Sequence, residues 1–148
     1  MSQPVEATLA YWDEHRQQLR QSETQRSVLT NFLLLITSGV SSFIIQQKFA
    51  GRTLPLTVLI VGVGLYGALA AAKYHERAEY HLMQARALTR MLEKMGALTD
   101  DSQLNAFREA HYQKYPWLHR IRLHWLWTGL HLAIAVYGIV LTVLVLGH

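Results

Sequence analysis

The side chains here whose types and spacing suit chemistry are few: a glycine triplet, a run of hydroxyls, one histidine in an apolar stretch and a ladder of basic residues. Gly62-Val63-Gly64-Leu65-Tyr66-Gly67 spells the GxGxxG pattern of dinucleotide-binding turns. That chemistry needs a strand before the glycines and an acid at the end of a second strand. No such strand follows, and residues 73–95 repeat with helical period instead. The small residues suit close helix packing, with Gly64 above Ala68 and Gly67 above Ala71 on one face. No cofactor is expected.

Asn31, Ser38 and Ser42, with Thr30, Thr37 and Ser41 adjacent, put a polar stripe into an otherwise apolar run. In lipid, hydroxyls bond back to a carbonyl on the preceding turn or cross to another helix. In an oligomer the same face would line a narrow polar pathway, and the lack of a charged ring predicts weak ion selectivity. His131 is the candidate titratable group within an apolar run. Such a residue serves as a gate or proton relay, or as a structural histidine satisfied by a neighbour; it lies about two helical turns beyond Arg122. No carboxylate occurs in any of the apolar runs, which disfavours proton- or sodium-coupled transport.

Arg86, Arg90 and Lys94 recur every fourth residue. Such a ladder is a solvated or ion-paired face, or a contact for an anionic lipid headgroup or a nucleotide. His75 and Glu79 supply two metal-ligand types one turn apart, but nothing nearby completes a ligand set, so no metal is expected. The chain has no cysteine, which excludes disulfides, thiolate sites and cysteine nucleophiles. With no Ser/His/Asp set, phosphate loop or paired acid and base, enzymatic activity is not expected.

What must position these residues is set by three stretches, 27–46, 53–72 and 125–146, that contain no Asp, Glu, Lys or Arg. Each has the roughly 20 residues that a helix needs to cross a bilayer's hydrocarbon core of about 30 Å. Lipid accepts only helices or closed barrels, so the reading is an all-α integral membrane protein with three transmembrane helices. The first apolar run follows a long polar segment and is too long for a signal-peptide core, so cleavage is not expected. Of the 14 Lys and Arg, nine lie between residues 73 and 122, against two in the 47–52 turn. By the positive-inside rule the N-terminus and the 73–122 segment are cytoplasmic, with His148 outside. The net charge of +4 comes from basic residues interleaved with acids, so a nucleic-acid partner is not expected.

The polar segments read as helices too. Val5, Leu9, Trp12 and Leu19 recur at 3–4 spacing, and no Gly or Pro interrupts residues 5–38, so the helix over 5–26 should run straight into the first span. From Tyr74 the positions Ala78, His81, Ala85, Leu88, Leu92 and Met95 form a coiled-coil-like seam over 73–96, with Gly96 as its stop. These two helices are expected to pair antiparallel as a cytoplasmic stalk. The register sets Trp12 near Leu88 and Val5 near Met95, with ion pairs Glu23–Arg77, Glu14–Arg86 and Glu6–Lys94; an N-terminal helix lying flat on the membrane is the alternative. A short helix over 100–115, capped by Thr99-Asp100-Asp101-Ser102 and closed by Pro116, leads to an aromatic and basic collar from Trp117 to Trp127.

The helix entering span one through Thr24-Gln25-Arg26 and Asn31-Phe32-Leu33-Leu34, the two-span hairpin, and the amphipathic helix that leaves it at Lys73-Tyr74-His75-Glu76-Arg77 resemble small bacterial membrane proteins of the SLATT kind. The layout is also similar to that of the RipA family of small octameric membrane proteins. The resemblance covers about two thirds of the chain and implies a pore-forming membrane effector of the bacterial inner membrane; the third span departs from that pattern, and no functional residue is carried over. A homo-oligomeric pore is the leading expectation. The alternatives are a non-conducting scaffold whose stalk docks another protein, and a lipid- or nucleotide-responsive sensor.

Overall fold

A computed structural model describes residues 3–98 and 101–147, the side chains of 101–104 apart. Among the described residues are four α-helices: α1 (Gln3–Gln46), α2 (Leu54–Lys94), α3 (Asp101–Lys114) and α4 (Leu123–Leu146). Short 3₁₀ turns cover Gly51–Thr53 and Leu118–Arg120, and no strand occurs among the described residues. Helices α1, α2 and α4 are long and apolar enough to cross a membrane. The polar 5–26 segment and the first apolar run form one helix of 44 residues, and the second run continues into a helix of 41. The capping expected at Thr99 and Asp100, and the placement of His148, lie outside the described residues.

Backbone hydrogen bonds explain where the long helices stop. At the end of α2 the Ala97 amide donates to Leu92 O (3.0 Å) and the Gly96 amide to Glu93 O (2.9 Å). This is the Schellman pattern, and Gly96 takes the positive φ of 71° that it requires. The same pair of bonds closes α1, from Phe49 to Ile44 O (3.2 Å) and from Lys48 to Ile45 O (2.9 Å). There the left-handed positions are Lys48 and Phe49, with φ of 50° and 57°, so this turn forms without the glycine that usually relieves it.

The chain divides into two compact units, residues 1–22 with 76–122, and residues 23–75 with 123–148. In the first, α1 and α2 pair antiparallel. The Trp12 indole donates to Thr89 Oγ1 (3.0 Å), His15 and His81 approach through their Nδ1 atoms (3.0 Å), and Arg77 donates to Gln18 Oε1 (3.0 Å). Near Trp12 the register is the expected one, since Thr89 adjoins Leu88. Further along it departs: Arg77, expected beside Glu23, reaches Gln18, and neither Glu14–Arg86 nor Glu6–Lys94 forms an ion pair among the described residues. The seam of α1 also differs by one position. Thr8 and Ser22 are buried while Leu9 is exposed, because Val5, Thr8, Trp12, His15, Leu19 and Ser22 follow an unbroken 3–4 alternation that Leu9 leaves. The two buried hydroxyls are satisfied locally, donating to Pro4 O (2.8 Å) and Gln18 O (2.9 Å).

In the second unit the apolar parts of α1, α2 and α4 enclose Ile44, Ile60, Ile134, Leu141 and Val145. Helices α2 and α4 approach so closely that glycine is required at the crossing. A Cβ on Gly64 would overlap the Ala135 backbone, 2.7 Å from its Cα, and one on Gly138 would lie 2.7 Å from the Val61 amide nitrogen.

Candidate functional site

Within the second unit, α1 and α4 bring polar side chains together around His131, which is 1% exposed, and α2 lays Gly67 against its ring. Its Nε2 lies 3.1 Å from Thr30 Oγ1, and the same hydroxyl donates to Arg26 O at 2.9 Å. A threonine hydroxyl has one proton. Because that proton goes to the carbonyl, Thr30 accepts from His131, and the imidazole proton of this contact sits on Nε2. The other ring nitrogen, Nδ1, faces Gly67 and has no hydrogen-bond partner among the described residues. A Cβ on Gly67 would overlap the ring, 2.7 Å from Cγ. Gly67 is therefore the position that admits the imidazole between the helices.

One turn before His131, Trp127 carries the Arg26 guanidinium over its ring, 5.1 Å from the centroid. Arg26 Nε and Trp127 Nε1 are buried without a hydrogen-bond partner among the described residues, and the cation–π contact is the interaction that joins the two side chains. Toward the other end of the unit, Thr142 and Thr57 bond to each other (2.9 Å), within reach of Gly138 O and Leu54 O. Their two protons serve three contacts, so the pair shares them.

The hydroxyl stripe of α1 is not one face. Thr30, Thr37 and Ser41 are buried, whereas Asn31, Ser38 and Ser42 are exposed. Ser41 donates to Thr37 O at 2.6 Å, and Thr37 Oγ1 has no partner among the described residues. Asn31 and Ser38 make no side-chain hydrogen bond there either, and Ser42 accepts one long bond, 3.4 Å, from Gln46. The glycine triplet lies inside α2, with no strand before it; Gly64, Gly67, Ala68 and Ala71 are buried and Gly62 is open. His75 stacks on His124 (centroids 3.9 Å apart, planes at 10°). No three His, Asp or Glu side chains gather to hold a metal among the described residues.

In the first unit the basic ladder divides. Arg86 and Arg90 line an open groove of about 700 Å³, with Met83, Thr89, Glu93, Asn105 and Arg108; Lys94 is not part of it. On the paired seam, burial pulls the His81 pKa below the ordinary histidine value, helped by His15 and Arg77 and opposed by Glu14. Sequence reasoning missed four partners here: Thr30 for His131, Thr142 for Thr57, His15 for His81, and Arg108 for the arginine pair. Seam spacing carried a signal for the histidine pair; nothing local signalled Arg108, which arrives on a separate helix.

No family model, curated protein or solved structure shows a significant match to this chain.

Proposed function

We propose that this chain is a homo-oligomeric integral membrane protein that forms a pore, with its N-terminus and the 73–122 segment in the cytoplasm of a bacterial cell and α1, α2 and α4 spanning the inner membrane. The observation that carries the proposal is the exposed row Asn31, Ser38 and Ser42 on an α1 segment otherwise covered by Phe32, Leu35, Ile36 and Phe43. Two of the three inward hydroxyls, Thr30 and Ser41, bond to the chain's own backbone, and Thr30 also meets His131, whereas the outward row is left nearly unpartnered. Amides and hydroxyls facing hydrocarbon are costly. A second copy, or a water-filled axis shared by several copies, removes that cost. Gly39 lies on the same side with open space where a Cβ would stand, which suits close approach by a neighbouring helix.

The experiment is dye and ion flux from liposomes containing the purified chain, alongside cross-linking of a single cysteine placed at residue 38. Leak that disappears in Asn31→Leu with Ser42→Leu, and cross-linked oligomers at residue 38, are the expected results. Oligomers without leak under any condition would favour the second reading, a non-conducting scaffold whose paired helices dock another protein. Extraction of the chain by alkaline carbonate would end both.

A further inference from the structure

We propose that the groove between α2 and α3 is a binding site for a phosphate-bearing anion, held by Arg86, Arg90 and Arg108. Three guanidinium side chains from two helices line one open concavity, and Glu93 is its single carboxylate among the described residues, whose side chains together give the lining a charge of +2. Arg86 and Arg90, one turn apart on α2, have no carboxylate partner among the described residues, and like charges at that spacing repel. Arg108 donates to Asn105 Oδ1 at 2.6 Å, which fixes the plane of its guanidinium, and its remaining N–H groups have no partner among the described residues.

The other polar side chain of the wall is already committed. Thr89 donates to Ala85 O (3.0 Å) and accepts from the Trp12 indole (3.0 Å), so it braces the groove without offering a donor. Recognition therefore falls to guanidinium forks, whose geometry matches the paired oxygens of a phosphate. The volume, about 700 Å³, is in the range of small-ligand sites. No aromatic ring lines the groove among the described residues, which offer a nucleobase no stacking surface, so the phosphate group is the recognised part. Lys94, the third rung of the ladder in sequence, lies outside the site. The inference does not depend on whether the chain conducts.

The test uses the full chain in dodecylmaltoside micelles, titrated by calorimetry with inorganic pyrophosphate and separately with dioctanoyl phosphatidic acid. Expected is saturable binding of at least one probe, weakened tenfold or more by Arg86→Gln and by Arg108→Gln and less than twofold by Lys94→Gln. Pyrophosphate alone binding assigns the site to a soluble phosphate ester, and the lipid alone to a headgroup. Bound probe should also protect Arg86, Arg90 and Arg108, but not Arg120, from phenylglyoxal in the unmutated chain, a readout independent of any variant's folding. Absence of binding by both probes, equal loss with Lys94→Gln, or unselective protection would overturn the assignment.

Discussion

Alanine at Gly67 tests the claim that this glycine exists to admit His131. The new Cβ would overlap a ring that is 1% exposed and bonded to Thr30 on its far side, so the ring has little room to retreat. Overpacking of this kind costs about 1–3 kcal/mol, against a helix-propensity gain of about 1 kcal/mol, leaving a net loss of up to roughly 2 kcal/mol. Gly62→Ala, with nothing within 4 Å, should be neutral or slightly stabilising. Gly64→Ala meets backbone rather than a side chain, which cannot change rotamer, and should lose the most, about 3 kcal/mol. His131→Ala removes the obstruction at its own cost of about 3 kcal/mol, so the Gly67→Ala/His131→Ala double variant should lose at least ~1 kcal/mol less than the two singles combined. Reversible unfolding in mixed SDS and dodecylmaltoside micelles, followed by tryptophan fluorescence, gives all five values. If Gly67→Ala matches Gly62→Ala, or if the double variant is additive, the ring does not pack on that glycine and the reasoning fails.

Three further outcomes are expected. Trp12→Phe keeps an aromatic ring on the α1–α2 seam but loses the bond to Thr89, a cost of about 1 kcal/mol; Trp12→Ala should cost about 3 kcal/mol. Limited proteolysis of residues 3–22 would rank the two, and unchanged resistance in Trp12→Ala would contradict the packing. Acidification should loosen the same seam. His81, facing His15, Arg77, Glu14 and Tyr80, titrates below its unfolded value of about 6.5, so its contribution is complete above that pH and is lost as pH falls through the lower folded value. Protection of the amides across 3–22, taken relative to the intrinsic exchange rate at each pH, should therefore fall between pH 7.5 and pH 5, and His81→Asn should flatten that response; a profile identical to the unmutated chain would remove the histidine pair as the cause. Thr142→Val should cost only about 0.6 kcal/mol, because Thr57 keeps Leu54 O as an acceptor; in the same micelle unfolding a loss above 2 kcal/mol would show the pair to be the stronger tie.

The sequence by itself settled the helices. Runs without charge marked three of them, the lack of Gly and Pro joined the polar and apolar parts of α1, and Gly96 marked the end of α2. It also placed Gly64, Gly67, Ala68 and Ala71 on one face. Tertiary structure decided how neighbouring polar residues divide. Thr30 and Asn31, Thr37 and Ser38, and Ser41 and Ser42 are adjacent in the chain, yet a helix turns about 100° per residue, so one of each pair points into the bundle and the other away. The same rotation exchanged Thr8 for Leu9 on the first seam. Periodicity assigns a face to each residue but not the partner opposite it, and so the groove that Arg108 shares with Arg86, and Thr30 beside His131, came only from the packing of one helix against another.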